Sequence, residues 1–546
     1  MIFSIGASRE GGRSLPENSG AAARHLWSAR LSRLLMTGAF ALLLLPAACK
    51  GPTERADEFA QKASQLAEAG DRLGAIAAIQ QAIALRDDNA SYFLLQASIE
   101  LRSNHPVEGF LAARRALELD AANIDALSIV SNIGMQIGQV DESYDAATRL
   151  LVLDPASLIG LQSKGLYELF KNRYVDAEAT AQRLLQISPS DTAGIIIHAR
   201  VLAKTGKLED ALAFINDRLA QSSPSAALVI TQINLNRSLG KPEEMLKGFA
   251  QLDELAPTRS AALRLDEINL LYKLGRTADA REKTVALLSS RSPDVGDLAA
   301  LQRIWWQYDP KPFDRQTLQA AKDWGDPIVL FAIGRYFLWQ GEPQLADDAF
   351  FAFPAALRSP CFAIHLRAQL ELGDAAGSRS LNDKVLARDG ENVDGLLLRA
   401  EFEERDGRRD RAIESVQRAL NVDQTNPEIY VMLAELNAKA GDKTRARQSF
   451  EDGLQQMPQD FLLIQRYTQF LHQSGNKSRA VSVSRAFARA LPSSTKAWTI
   501  MAQQCAWAAD AACAAEAAAG RTAAAARFSV DDPPGTAPDR GLLGKF

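Results

Sequence analysis

The side chains with chemical reach are few and scattered. His25, His105, His198, His365 and His472 stand far apart, none in an HExxH pair and none beside two cysteines, so no metal-ligand spacing is present. A phosphate-cradling GxxxxGK followed by Ser or Thr is missing, as are a GxSxG elbow and a dinucleotide fingerprint. Adjacent acids such as Asp347 with Asp348 and Glu403 with Glu404 point to different sides of a helix and read as solvated faces. No catalytic residue, metal or cofactor is therefore assigned. Four cysteines exclude a disulfide framework. Cys505 and Cys513 are a candidate pair: a helical hairpin brings them together for a bridge, or both are small apolar members of an Ala-rich core. Cys361 reads as core. Trp305, Trp306 and Tyr308 offer area for stacking a sugar or gripping a partner, or fill the core of an irregular unit.

These residues hang on a repeated frame. The stretches "AGDRLGAIAAIQQAIAL" from Ala69, "TGKLEDALAFINDRLAQ" from Thr205, "DGRRDRAIESVQRALNV" from Asp406 and "AGDKTRARQSFEDGLQQ" from Ala440 share a Gly at the second place, and five residues later an Ala. Gly70, Asn104, Gly138, Asn172, Gly206 and Gly240 follow one another at a constant spacing, and so do Gly373, Gly407, Gly441 and Gly475. Gly or Asn suits the left-handed turn that ends a helix. The small residue then marks the closest crossing of a second helix on the first: Ala75, Gly109, Ser143, Ala177, Ala211, Ala280, Ala346, Ser378, Ala412, Ala446, Ala480 and Ala514, with Met245 the large exception. Pro155, Pro189, Pro257, Pro458 and Pro492 stop second helices.

This pattern resembles the tetratricopeptide repeat, including its small residue in the first helix at Ala63, Ala97, Gly165, Ala199, Gly334, Ala400, Ala434 and Ala502. The resemblance implies an all-α, right-handed superhelical solenoid of about 13 to 14 helix-turn-helix repeats. A first array spans 56–294, a degenerate helical repeat 295–326, a second array 327–520, and a Pro- and Gly-containing tail 521–546. The family carries its ligands on the first helices, where Asn132, Arg200, Asn234 and Arg237 are polar groove candidates. A carboxylate clamp of the kind that grips chaperone tails is not expected, because Ser163 and Asp266 stand where further clamp residues belong.

The opening segment fixes the expected address. An uncharged run of about fifteen residues, Leu34 to Ala48, is short of the roughly 20 needed to span a bilayer. Arg30 and Arg33 precede it and Ala47 and Ala48 close it, the layout of an export signal. The junction Pro46-Ala47-Ala48-Cys49 resembles the bacterial lipobox, with Pro46 at a place where Leu is usual. That resemblance implies a signal over 1–48, lipid on Cys49 and a linker over 49–55. Lys50 after the cysteine implies an outer-membrane lipoprotein facing the periplasm. The alternative is a plain signal cut after Ala48, which gives a secreted or periplasmic soluble chain.

With 62 basic and 66 acidic residues the chain is mildly acidic, which gives no basis for nucleic-acid binding. A lipid anchor before a long solenoid is similar to the layout of envelope repeat lipoproteins of pilus, secretin and exopolysaccharide export systems. The resemblance implies a membrane-anchored scaffold whose partners are proteins of an envelope assembly or export complex, with exopolysaccharide secretion preferred. Two alternatives are a recruiting subunit for a periplasmic glycan-modifying or peptidoglycan enzyme, and a pilus or secretin assembly lipoprotein.

Overall fold

A computed structural model describes residues 51–221, 225–257, 259–290, 295–309, 311, 327–352 and 362–528. Cys49, Cys361 and the segment after Phe528 lie outside them. All 27 described helices are α-helices, and 26 of them come in antiparallel pairs. Units 1 to 4 pair Pro52–Glu68 with Arg72–Leu85, Ala90–Arg102 with Pro106–Leu119, Ile124–Gln136 with Val140–Leu153, and Leu158–Phe170 with Tyr174–Ile187. Units 5 to 7 pair Thr192–Lys204 with Leu208–Gln221, Ala226–Ser238 with Pro242–Leu255, and Ala261–Lys273 with Thr277–Ser289. Val295–Tyr308 is the first helix of unit 8, and the place of its partner lies outside the described residues. Units 9 to 11 pair Pro327–Trp339 with Pro343–Ala352, Phe362–Glu371 with Ala375–Arg388, and Val393–Arg405 with Arg409–Val422. Units 12 to 14 pair Pro427–Lys439 with Lys443–Gln456, Phe461–Gln473 with Lys477–Ala490, and Thr495–Ala508 with Ala511–Ala526.

Local chemistry sets each boundary. Asp71, Asn123, Ser157, Asp191, Asn392 and Asp460 each accept a hydrogen bond at a helix N-terminus from a backbone N–H three residues on. The Gly and Asn ladder of the turns lies entirely at positive φ, from +59° at Asn172 to +108° at Gly373. Two boundaries differ from the sequence expectation. The first helix begins at Pro52, inside the expected linker, because Pro is preorganised for the first helical turn. The last helix continues past residue 520 to Ala526, carried by a run of alanines.

The expected crossing residues sit in the core. Ala75, Ser143, Ala177, Ala211, Ala280, Ala346, Ala412, Ala446 and Ala480 are fully buried. Unit 6 uses Met245 there, opposite Ile233, and makes room elsewhere: a Cβ on Gly248 would come within 2.5 Å of Ile233 Cγ1. Ala514 departs from the expectation, being exposed while Cys513 takes the buried place. Cys513 is bonded there to Cys505 of the partner helix.

Most first helices pack against the next first helix as well as against their own second helix, whereas successive second helices make no comparable contact with one another. The array therefore curves with its first helices inside. Trp305 is 1% exposed and meets the ring of Tyr336 edge-on at 5.0 Å, so this aromatic belongs to the core of units 7 to 9. Trp306 packs against that core and also against the core of units 13 and 14. Lys496 donates to the backbone carbonyl of Trp306, so the last unit returns to the middle of the array.

Candidate protein-binding groove

The inner face is a strip built from one helix per unit, and residues at equivalent places on successive helices form rows along it. One row runs Asn132, Leu166, Arg200 and Asn234. Asn132 is exposed, and its Oδ1 accepts from Gln136 Nε2 at 3.2 Å. Arg200 is 6% exposed, and burial lowers its pKa to about 10. Asn234 is half-buried, and its backbone carbonyl accepts from Ser238 Oγ at 3.1 Å. Arg237, one turn further on, is engaged by Asp266 of the next unit, both side chains being largely buried. Of the four candidates, Asn132 therefore presents the most open polar group to a partner. In unit 4, Phe170 is 55% exposed, with the ammonium of Lys171 5.7 Å from its ring centroid.

In the second array the same row is charged: Arg335, Arg367, Glu401 and Glu435, one per unit. The Arg367 guanidinium lies 2.9 Å from Glu401 Oε1 and also pairs with Glu428, while Arg335 approaches Asp394 and Glu428 at 3.8 Å. Desolvation in the groove, with Glu404 and Glu428 nearby, holds Glu435 above the usual carboxylate range although one side of it reaches solvent; Arg466 and Lys439 oppose the shift. The sequence reading missed this row. Its signal was available, because Arg367, Glu401 and Glu435 keep the repeat spacing. On the outer side, a cleft of about 410 Å³ contains Arg379, Arg399, Arg408, Arg411 and Arg418. Arg379 and Arg408 are already paired with Asp406.

The four histidines among the described residues serve the frame. His105 lies 2.8 Å from Glu100, His198 2.8 Å from Glu178, His365 beside Asp347, and His472 2.7 Å from Gln504. Among the described residues no group of three or more His, Cys, Asp or Glu gathers to hold a metal ion, and no helix is long and apolar enough to cross a membrane. Cys505 and Cys513 are bonded, with their Cα atoms 5.4 Å apart, inside the usual disulfide range.

The deciding observation is the combination of a turn-to-turn spacing that is constant within each run, a buried small residue at most crossings and inner-face packing of first helix on first helix. The fold is that of a tetratricopeptide-repeat array. No protein-family model matches the chain, and no curated protein does. Similar solved structures include a tetratricopeptide repeat protein from Parabacteroides merdae ATCC 43184, at 15% identity and TM-score 0.41 over 46% of this chain and 98% of that one. The pilF protein of Pseudomonas aeruginosa is similar at 17% identity and TM-score 0.31, over 38% of this chain and 96% of its own. PilW, a widely conserved type IV pilus biogenesis factor, is similar at 20% identity and TM-score 0.31, over 37% and 94%. The tetratricopeptide assignment rests on the packing and spacing of this chain's own helices.

Proposed function

We propose that this tetratricopeptide array is a membrane-tethered scaffold that holds protein components of an envelope export machine, with exopolysaccharide secretion as the preferred setting. The observation that carries the scaffold reading is the inner face, which presents Asn132 and Phe170 in one half and a ladder of charges in the other. Such a strip suits extended protein segments, which supply side chains at regular intervals. The tether is argued from the run Leu34 to Ala48 followed by Cys49. The bond between Cys505 and Cys513 supports an oxidising compartment such as the periplasm.

Intact mass and membrane fractionation of the native protein beside a Cys49→Ala variant test the tether. Lipid on the wild-type cysteine, with only the variant leaving the membrane, supports it; two soluble, unmodified chains with residues 1–48 intact overturn it. Crosslinking through a photoreactive residue at Asn132 then tests the scaffold, since partners captured there and lost when the label is moved to an outer second helix mark the inner face. Recruitment of a periplasmic glycan or peptidoglycan enzyme is the second reading, favoured if a hydrolase or transferase is what crosslinks.

A further inference from the structure

Lys273 ends the first helix of unit 7 on the inner face, and its ammonium points at the far end of the chain. It donates to the carbonyl of Ser493 at 3.1 Å, to that of Ala524 at 2.7 Å and to that of Arg527. An ammonium has three N–H groups, so these acceptors match its donor count. Two of the carbonyls belong to the C-terminal end of the helix Ala511–Ala526, where the carbonyl end of the helix carries partial negative charge and favours a cation. Phe528, just beyond that helix end, is half-buried against the core of units 6 and 7, which includes Val229, Ile233, Phe249 and Leu270. The Lys273 ammonium stands 5.3 Å from its ring centroid.

We propose that the inner face of units 6 and 7 is a docking site for a helix C-terminus followed by an aromatic residue, and that the chain's own last helix with Phe528 occupies it as a displaceable internal ligand. The chemistry read at the site is general: main-chain carbonyls carry no side-chain identity, and one ring fills an apolar recess. A partner protein that presents the same two features competes for the same place. The contact is also separable. The last helix meets units 6 and 7 end-on, through Lys273 and the Phe528 ring, so fraying of its last turn releases the contact and uncovers only that ring and Ala524, while Lys496 and the packing of Trp306 keep the rest of unit 14 in place. Within the scaffold reading on which it rests, this gives the array one face that is covered until a stronger ligand arrives.

The test is a competition between the two copies of the segment. A fluorescein-labelled peptide of residues 511–528, carrying Cys513→Ser, is titrated by fluorescence anisotropy into the full chain and into full-chain variants. The Phe528→Ala chain, whose internal ligand is weakened, is expected to bind the peptide at least tenfold more tightly than wild type. Adding Lys273→Met is expected to remove that gain, with the far-UV circular dichroism of all chains unchanged. The peptide's own Phe528→Ala form, which alters nothing in the protein, is expected to bind the Phe528→Ala chain at least tenfold more weakly than the parent peptide. Equal affinity of wild type and the Phe528→Ala chain overturns the proposal, as does equal affinity of the two peptides. Either failure leaves the scaffold reading standing, because the Asn132 crosslinking experiment does not involve this peptide.

Discussion

The hydroxyl of Tyr272, in unit 7, lies 3.1 Å from Oδ2 of Asp309, the residue that follows the first helix of unit 8. Arg281 completes the group with two donors, Nε to Oδ2 at 2.6 Å and Nη2 to Oδ1 at 2.8 Å. Burial would raise the Asp309 pKa, but the Arg281 fork overrides it and holds the carboxyl below its usual range. This cluster joins the first array to the irregular unit. Asp309→Ala is expected to cost about 2–4 kcal/mol, because it leaves a buried tyrosine hydroxyl and a guanidinium without their shared acceptor. Hydrogen exchange that accelerates in Thr277–Ser289 and Val295–Tyr308 ahead of the other units will check it; uniform exchange counts against a local joint.

Asp460 is pushed up to about 6 by burial, against the pull of the backbone N–H groups of Leu463 and Leu462 and of Arg303. A carboxyl with a higher pKa folded than unfolded takes up its proton first in the native state. Its contribution to stability therefore rises as pH falls through about 6 and levels off near the unfolded value of about 4. The gain is at most about 3 kcal/mol, from roughly two pKa units. Asp460→Asn keeps an acceptor for the helix N-terminus and removes the charge, so the difference in melting temperature between variant and wild type is expected to shrink from pH 7 to pH 5. A constant difference over that range refutes the assignment.

The bond from Cys505 to Cys513 closes a loop with a sequence separation of 8. A loop of this size is expected to stabilise the last unit by about 2–3 kcal/mol through the unfolded chain. Reduction should therefore loosen unit 14 while units 1 to 5, which lie away from it, keep their helicity, because units contact mainly their neighbours. Proteolysis under reducing conditions that begins between Thr495 and Ala526 is the expected result, and first cuts elsewhere would contradict it.

Ala509 sits at φ +57°, the place that glycine holds in most other units. A Cβ there carries a left-handed penalty of about 1–2 kcal/mol, partly offset by the greater unfolded-chain freedom of glycine. Ala509→Gly is expected to raise the stability of the last unit by about 0.5–1 kcal/mol, read as slower hydrogen exchange in Thr495–Ala508. Faster exchange would show that the alanine methyl packs favourably.

What the sequence determined is everything that one unit and its neighbour decide. Helix ends follow from Asp, Asn and Ser caps, turns from the Gly and Asn ladder, and helix crossings from small residues such as Ala75 and Ala412, because each acts over a few residues or across one hairpin. The tertiary structure decided the rest. It buried Arg200, joined Arg237 to Asp266, gathered Arg335 and Arg367 around Glu428, put Cys513 where Ala514 was expected, and brought Phe528 back to Lys273. Groove side chains of adjacent units meet only at distances set by how one unit rotates on the next. The return of the last unit depends on those rotations summed along the chain, a quantity that no local pattern of residues writes down.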